Sequence, residues 1–422
     1  MSSAAWQGGL RDGLGYGALG LPLAFVALPL YVVLPNHYAS EFGVSLAVLG
    51  TLLLGARLLD ALVDPWIGRW ADAWFAHSTA RVLTALALAA GVLALGFRGL
   101  FFPAVTQGTA LLWWCGALLA ITYLSYSVVS VVHQAWGARL GGDEGQRARI
   151  VSWREGLALA GVLVASVLPA VAGLGMASLV FAVTLALGVA ALWHAPRPQP
   201  APTGPMRLDL FEPLRNAAFR RLLAVYLVNG VASAVPATLV LFFIRDRLQA
   251  PAWEPAFLAA YFAAGALSMP LWVRAVSVFG LARSWLVGMG LAVLTFAWAA
   301  LLGAGDSWGF LAVCLASGVA LGADLSLPGA LLAGVIQRSG QAGRGEGGYF
   351  GWWNFATKLN LALAAGVALP LLSAFGYAPG ARDADALAAL TIAYCLLPCV
   401  LKVAAIGLSM ALLAQPPDRE SP

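Results

Sequence analysis

The stretch TLLLGARLLDALVDPWIGRWAD, residues 51–72, decides how the whole chain is read. It closes an apolar run, yet it carries Arg57, Asp60 and Asp64, followed at once by Pro65. At roughly 100° per helical residue, spacings of three and seven leave these charges within about 60° of one another. They share one face. A carboxylate at mid-bilayer costs about 2.5–3.5 kcal/mol on insertion scales, and nothing about folding requires two of them on one turn. One reading is a helix end where Arg57 neutralises one aspartate and the other reaches interfacial water. The other is a cation site facing a polar cavity.

The surrounding composition says what kind of helix this is. Of 422 residues, 61% are hydrophobic and 10% charged, with a mean hydropathy of +0.84. A soluble chain carries about 25% charged residues, and many apolar segments here exceed the roughly 20 residues that cross a bilayer. Only helices and closed barrels satisfy their backbone groups in lipid, and no span alternates as a barrel strand does. The expected class is an all-α membrane protein. MSSAAWQGGLRDG has no charged n-region with a small-residue cleavage site close behind, so the first apolar run reads as a retained span. The isoelectric point near 9.2 does not point to nucleic acid, because the basic residues are scattered over short loops, where they set orientation. Cys115, Cys314, Cys395 and Cys399 all lie in apolar runs and read as packing residues. The 24 basic residues include only two lysines, Lys358 and Lys402, both in or beside apolar spans.

Twelve spans are predicted, at roughly 14–36, 45–66, 79–97, 108–136, 152–173, 176–194, 219–244, 255–277, 282–303, 307–330, 347–375 and 386–414. Between the sixth and seventh runs the longest polar stretch, HAPRPQPAPTGPMRLDLFEPLRNAAFRR, rich in proline and arginine. It suits a cytoplasmic linker, 196–218, between a six-helix bundle at 1–195 and another at 219–422. With both termini cytoplasmic, basic residues crowd the inside segments, and only Arg98, Arg245, Arg247 and Arg382 fall outside. That asymmetry sets the topology. The dominance of arginine over lysine, with abundant alanine and glycine, suggests a bacterial source and hence its inner membrane. The halves also echo each other: DPWIGRWADAWFAHSTAR ends the second span and MPLWVRAVSVFGLARSW the eighth. Parallel repeats place a substrate site at their interface.

Other spans carry polar residues that lipid tolerates poorly. In the fourth, Tyr126, Ser130, His133 and Gln134 fall near one stripe, although His133 is equally placed to be an interfacial histidine. The seventh has Asn229 and then Pro236; the tenth has Asp324, whose carbonyl Pro328 frees. The eleventh holds Trp353, Asn354 and Lys358, with Asn354 and Lys358 one turn apart. A buried lysine needs an acidic partner or gives up its proton, and Asp60 or Asp64 is the natural partner. The glycine-rich GYGALGLPLAF is no phosphate loop, since no strand precedes it and G-x-x-x-x-G-K-[ST] is missing. Its small residues suit close helix contact.

ARLLDALVDPWIGRWAD resembles the second-span signature of the glycoside–pentoside–hexuronide:cation symporters, the melibiose-carrier branch of the major facilitator superfamily. The resemblance continues in GADLSLPGALLAGVIQR and EGGYFGWWNFATKLNLALAAG, and so covers both halves. It implies twelve helices in two six-helix halves around a central cavity. It also implies that Asp60 and Asp64 bind the coupling cation, with Arg57 and Lys358 balancing charge nearby. Trp353 and Asn354 would face the solute. Where the family's sugar carriers place gripping aspartates, this chain has residues near Ala24 and Ser130, so a galactoside substrate does not follow.

The expected function is therefore H⁺- or Na⁺-coupled symport of a small polar solute, a sugar or glycoside-like compound, by alternating access. The solute and the bilayer are the expected partners, the coupling ion takes the place of any cofactor, and a monomer is expected. A carrier of amphipathic, lysophospholipid-like molecules is the alternative on the same fold. A membrane-embedded enzyme or a receptor is remote: His37, His77, His133 and His194 form no metal-ligand spacing, and no nucleophile elbow is present.

Overall fold

The computed structural model describes residues 6–198 and 209–413. The proline-rich middle of the linker, with Arg207, and the terminal Arg419 lie outside the described residues. Among the described residues every regular element is helical. Among the described residues, nine stretches meet the length and hydropathy needed to cross a membrane. One of them, Glu144–His194, is two helices joined at Gly173, whose φ of 79° breaks the run. Leu46–His77 and Glu346–Ala374 are two more long helices. The twelve are α1 (Leu10–Phe42), α2 (Leu46–His77), α3 (Thr79–Phe101), α4 (Gly108–Arg139), α5 (144–172), α6 (174–194), α7 (Ala217–Arg247), α8 (Pro251–Phe279), α9 (Leu281–Ala299), α10 (Ser307–Arg338), α11 (Glu346–Ala374) and α12 (Ala384–Leu412). This is the all-α, twelve-helix class that composition predicts.

Polar residues start the helices where the chain leaves the apolar runs. Ser78 Oγ accepts from Arg81 N at the start of α3, and Asp143 Oδ1 accepts from Gln146 N at the start of α5. Asn216 caps α7 and Asp383 caps α12 in the same way. Each satisfies an N–H that the first helical turn leaves open. Three helices loosen into a single π-turn, at Pro29–Val33, Phe243–Arg247 and Ile392–Leu396. The first begins at a proline and the third is followed closely by Pro398, which has no N–H to give to the regular ladder.

The described residues pack as two compact units: Met1–Pro213 with Ile336–Phe355, and Leu214–Val335 with Ala356–Pro422. In the first, Phe181 stacks on Phe25 with ring centres 5.8 Å apart and meets Phe97 at 4.6 Å. In the second, Phe243 stacks on Tyr394 at 4.3 Å and meets Phe310 at 5.6 Å. Large apolar side chains also cover the outer surface, with Trp113 79% and Leu267 81% exposed. That is what a lipid-facing surface needs.

The glycine-rich start of α1 does what its small residues suggest. A Cβ on Gly17 would strike the backbone carbonyl of Trp153, and one on Gly20 that of Arg154. From the other side, a Cβ on Gly161 would strike the carbonyl of Leu21, and one on Gly188 the backbone of Leu19. Here α1 lies backbone to backbone against α5 and α6. Such contacts replace the hydrophobic drive that lipid removes. Gly161→Val should therefore lower the stability of the purified protein by about 1–3 kcal/mol. Gly91→Ala on α3, where a Cβ meets nothing within 4 Å, should leave the melting temperature unchanged or raised. Equal melting of wild type and Gly161→Val would refute the close-contact reading.

Candidate functional site

In the first unit, α2 carries the charged turn past α1 and α4. Arg57 is exposed, with its guanidinium 3.8 Å above the ring of Tyr31 on the π-turn of α1. Tyr31 in turn lies 6.3 Å from Tyr123 of α4. One turn further on, Asp60 is buried, and Ser127 Oγ of α4 donates to its Oδ1 at 2.5 Å. Asp64 has no solvent exposure at all. Its carbonyl lies against Gly351 of α11, where a Cβ would press on it. Tyr126, beside Ser127 and half-buried, stands within electrostatic reach of Asp60, Asp64 and Glu155.

The other predicted positions of this unit are placed as follows. Ser130 is buried and accepts from Gln134 Nε2 at 3.3 Å. His133 is turned elsewhere, onto α1: its Nε2 bonds the carbonyl of Tyr16 at 2.8 Å, and Tyr16 Oη donates back to the His133 carbonyl at 3.2 Å. A carbonyl only accepts, so the ring proton sits on Nε2. This reciprocal pair fastens α1 to α4. Trp353 and Asn354 are buried on α11.

The end of α2 builds a second structure. Asp72, with no solvent exposure, accepts from the backbone N–H of Gly347 at 2.7 Å and Gly348 at 2.8 Å, and so caps the first turn of α11 from another helix. Arg139 Nη2 reaches both Asp72 Oδ1 and Glu346 Oε2 at 3.0 Å, while its Nη1 donates to the Gly343 carbonyl at 2.7 Å. Arg69 joins Asp72 to Glu212, the latter at 3.1 Å. A Cβ on Gly347 would strike the carbonyl of Gly68, and the reverse also holds. The EGG of residues 346–348 is thus a helix start cut to admit another helix and its aspartate.

The second unit has its own buried charge. Asp324 of α10 accepts at Oδ1 from Asn229 Nδ2 (3.1 Å) and Trp285 Nε1 (3.0 Å). At Oδ2 it meets Ser233 Oγ (3.1 Å) and Lys402 Nζ (2.5 Å). Lys402, from α12, also donates to Asn229 Oδ1 at 2.8 Å and to Ser233 Oγ at 2.9 Å. The structure therefore brings Asn229 and Asp324 together. Lys358, on α11, is half-buried and belongs to this second unit.

Residues 13–412 match the family described as MFS/sugar transport protein. The chain belongs to that family. Over 319 residues this transporter is 27% identical to the inner membrane symporter YicJ of Escherichia coli, covering 68% of the chain and 65% of YicJ. Over 159 residues it is 30% identical to the putative glycoside/cation symporter YagG of the same organism, covering 37% of the chain and 34% of YagG. The matches thus span less than two thirds of either relative. Among solved structures, an outward-facing bacterial homologue of the iron transporter ferroportin superposes with a TM-score of 0.73 at 16% identity. It covers 96% of the chain and 99% of that protein, a likeness of fold. The symporter resemblance read from the second, tenth and eleventh spans and the major facilitator fold both hold.

Sequence reading missed Ser127, Tyr31 and Glu155 in the first unit, and Lys402, Ser233 and Trp285 in the second. Ser127 could have been found: it lies one residue beyond Tyr126, and a hydroxyl there can reach a carboxylate on a neighbouring helix. Lys402 was marked by its place in an apolar span, but its pairing with Asp324, two helices earlier in the chain, was not. The transporter's Asp72 network makes its own prediction. Arg139→Met takes a guanidinium from the buried Asp72 and Glu346 together, leaving Asp72 to the longer 3.5 Å contact with Arg69, and removing one partner from a buried ion pair costs about 3–5 kcal/mol. Denaturation of the purified variant should show a loss of that order. A loss under about 1 kcal/mol, the range of an exposed pair, would show the network contributes little.

Proposed function

We propose that this transporter is a cation-coupled symporter of a small polar solute, sugar or glycoside-like, working by alternating access in a bacterial inner membrane with both termini cytoplasmic. The observation that carries the proposal is the burial of Asp60 and Asp64 one turn apart on α2, with the Ser127 hydroxyl on Asp60. Buried carboxylates in a spanning helix are expensive and mark ion pathways. Asp60, Asp64 and Ser127 offer only oxygen, a donor set that accepts a proton or coordinates Na⁺. Arg57 is assigned the balance of charge when the ion leaves. Tyr126, Ser130, Gln134, Trp353 and Asn354 are assigned to the solute path. The names of YicJ and YagG, a symporter and a putative glycoside/cation symporter, agree with this reading.

The test is uptake into proteoliposomes under imposed Na⁺ or pH gradients. Asp60→Asn and Asp64→Asn should each abolish accumulation against a gradient and leave solute exchange between equal compartments. Where the coupling ion is Na⁺, Ser127→Ala should weaken its binding by about tenfold, the worth of one hydrogen bond to a charged group, whereas Ser127→Thr should keep it. Full accumulation by both aspartate variants would end the assignment.

A further inference from the structure

The charge pair of the second unit has no part in the coupling just proposed, and its geometry is unequal in a telling way. Lys402 is 3% exposed, and its three N–H bonds are taken by Asn229 Oδ1, Ser233 Oγ and Asp324 Oδ2. An ammonium has no fourth to offer. The cation is sealed. The side chain of Asp324 keeps 12% of its surface against 4% for that of Lys402, so the aspartate is the less enclosed partner of the pair.

Ser233 makes the arrangement adjustable. Its hydroxyl has one proton and two acceptors equally near, Asp324 Oδ2 and the Asn229 carbonyl, both at 3.1 Å. When that proton turns to the carbonyl one helical turn back, Ser233 stays satisfied and a lone pair of Asp324 comes free. Asn229, Trp285 and Lys402 still hold the carboxylate in place and in its charged form. A ligand hydroxyl could then donate to the vacated lone pair without breaking any other bond of the cluster. A ligand carboxylate or phosphate could not, since the reachable partner is itself an anion. Tyr261, also within electrostatic reach of Asp324, adds no positive charge.

We propose that Asp324 is a solute-gripping residue of the second unit, accepting a hydroxyl of a neutral, polyhydroxylated solute, with Lys402 as its sealed counter-ion. The proposal rests on the solute-carrying half of the function above and is independent of which ion is coupled.

The test is binding to purified protein without any gradient, followed by thermal shift and calorimetry. The probes are the methyl glycosides of glucose, galactose and xylose, their monodeoxy analogues, and glucuronate. Wild type should bind at least one neutral glycoside and not glucuronate, and loss of one particular hydroxyl should weaken binding by about tenfold to a hundredfold. Asp324→Asn combined with Lys402→Met removes both charges together and leaves no unbalanced ion. That double variant should stay folded, bind the parent glycoside weaker by the same factor, and be indifferent to the deoxy substitution. Ser233→Ala removes the competing donor and one acceptor of Lys402; the second loss falls on free and liganded protein alike, so it should lower the melting temperature but bind as well as wild type or better. It keeps the question decidable should the double variant not fold.

Four results would overturn the proposal: wild-type affinity in the double variant, a tenfold loss in Ser233→Ala, preference for glucuronate, or no neutral glycoside bound. Binding that behaves as expected while Asp60→Asn still accumulates solute uphill would sink the coupling assignment and leave this one standing.

Discussion

The Asp72 carboxylate, itself without solvent exposure, takes two backbone N–H bonds from the first turn of α11 and faces the buried guanidinium groups of Arg139 and Arg69. This tertiary cap carries the first unit beyond its own sequence span and gathers residues 336–355 into it. The helix dipole favours a negative charge at that end of α11, and the two glycines let the aspartate approach. Once α2 is pinned at Asp72, its preceding two turns are fixed as well. Gly68 meets Gly347, the Asp64 carbonyl meets Gly351, and Asp60 is carried to Ser127 of α4. The candidate cation site is thus set by a structural aspartate two to three turns away on the same helix.

Much of this was legible in the sequence, for reasons that can be named. Apolar runs and their polar breaks gave the twelve helices, because a bilayer enforces length and leaves no other way to satisfy the backbone. Arg57, Asp60 and Asp64 stood out because charge is rare where everything around it is apolar. GYGALGLPLAF betrayed a close helix contact through its lack of side chains. Which helices would meet was not legible. Asp72 looks like the polar end of a span until Gly347 and Gly348 are seen against it. His133 looks like a cavity residue by spacing, and only the Tyr16 carbonyl shows the ring is fastened to α1. Lys358 and Lys402 look alike in sequence, but periodicity holds no information about the distant helix that supplies Asp324.

The buried carboxylates also differ in what their partners can do, and this separates structural from working roles better than burial does. The groups around Asp72 are backbone N–H and guanidinium, which donate and never accept. No cation can join that set without expelling its members, so Asp72 is committed to holding helices together. Ser127, on Asp60, is a hydroxyl: it donates to the carboxylate, and after a turn of its proton it offers a lone pair to a cation beside the same oxygen. Ser233, near Asp324, has the same freedom, with a backbone carbonyl to receive its proton. A charge ringed by fixed donors keeps its structure. A charge with a hydroxyl among its partners has one bond that can be exchanged for a ligand at little cost; among the described residues such bonds occur at Asp60, at Asp324 and, at the end of α7, at Asp246, to which Tyr377 Oη donates.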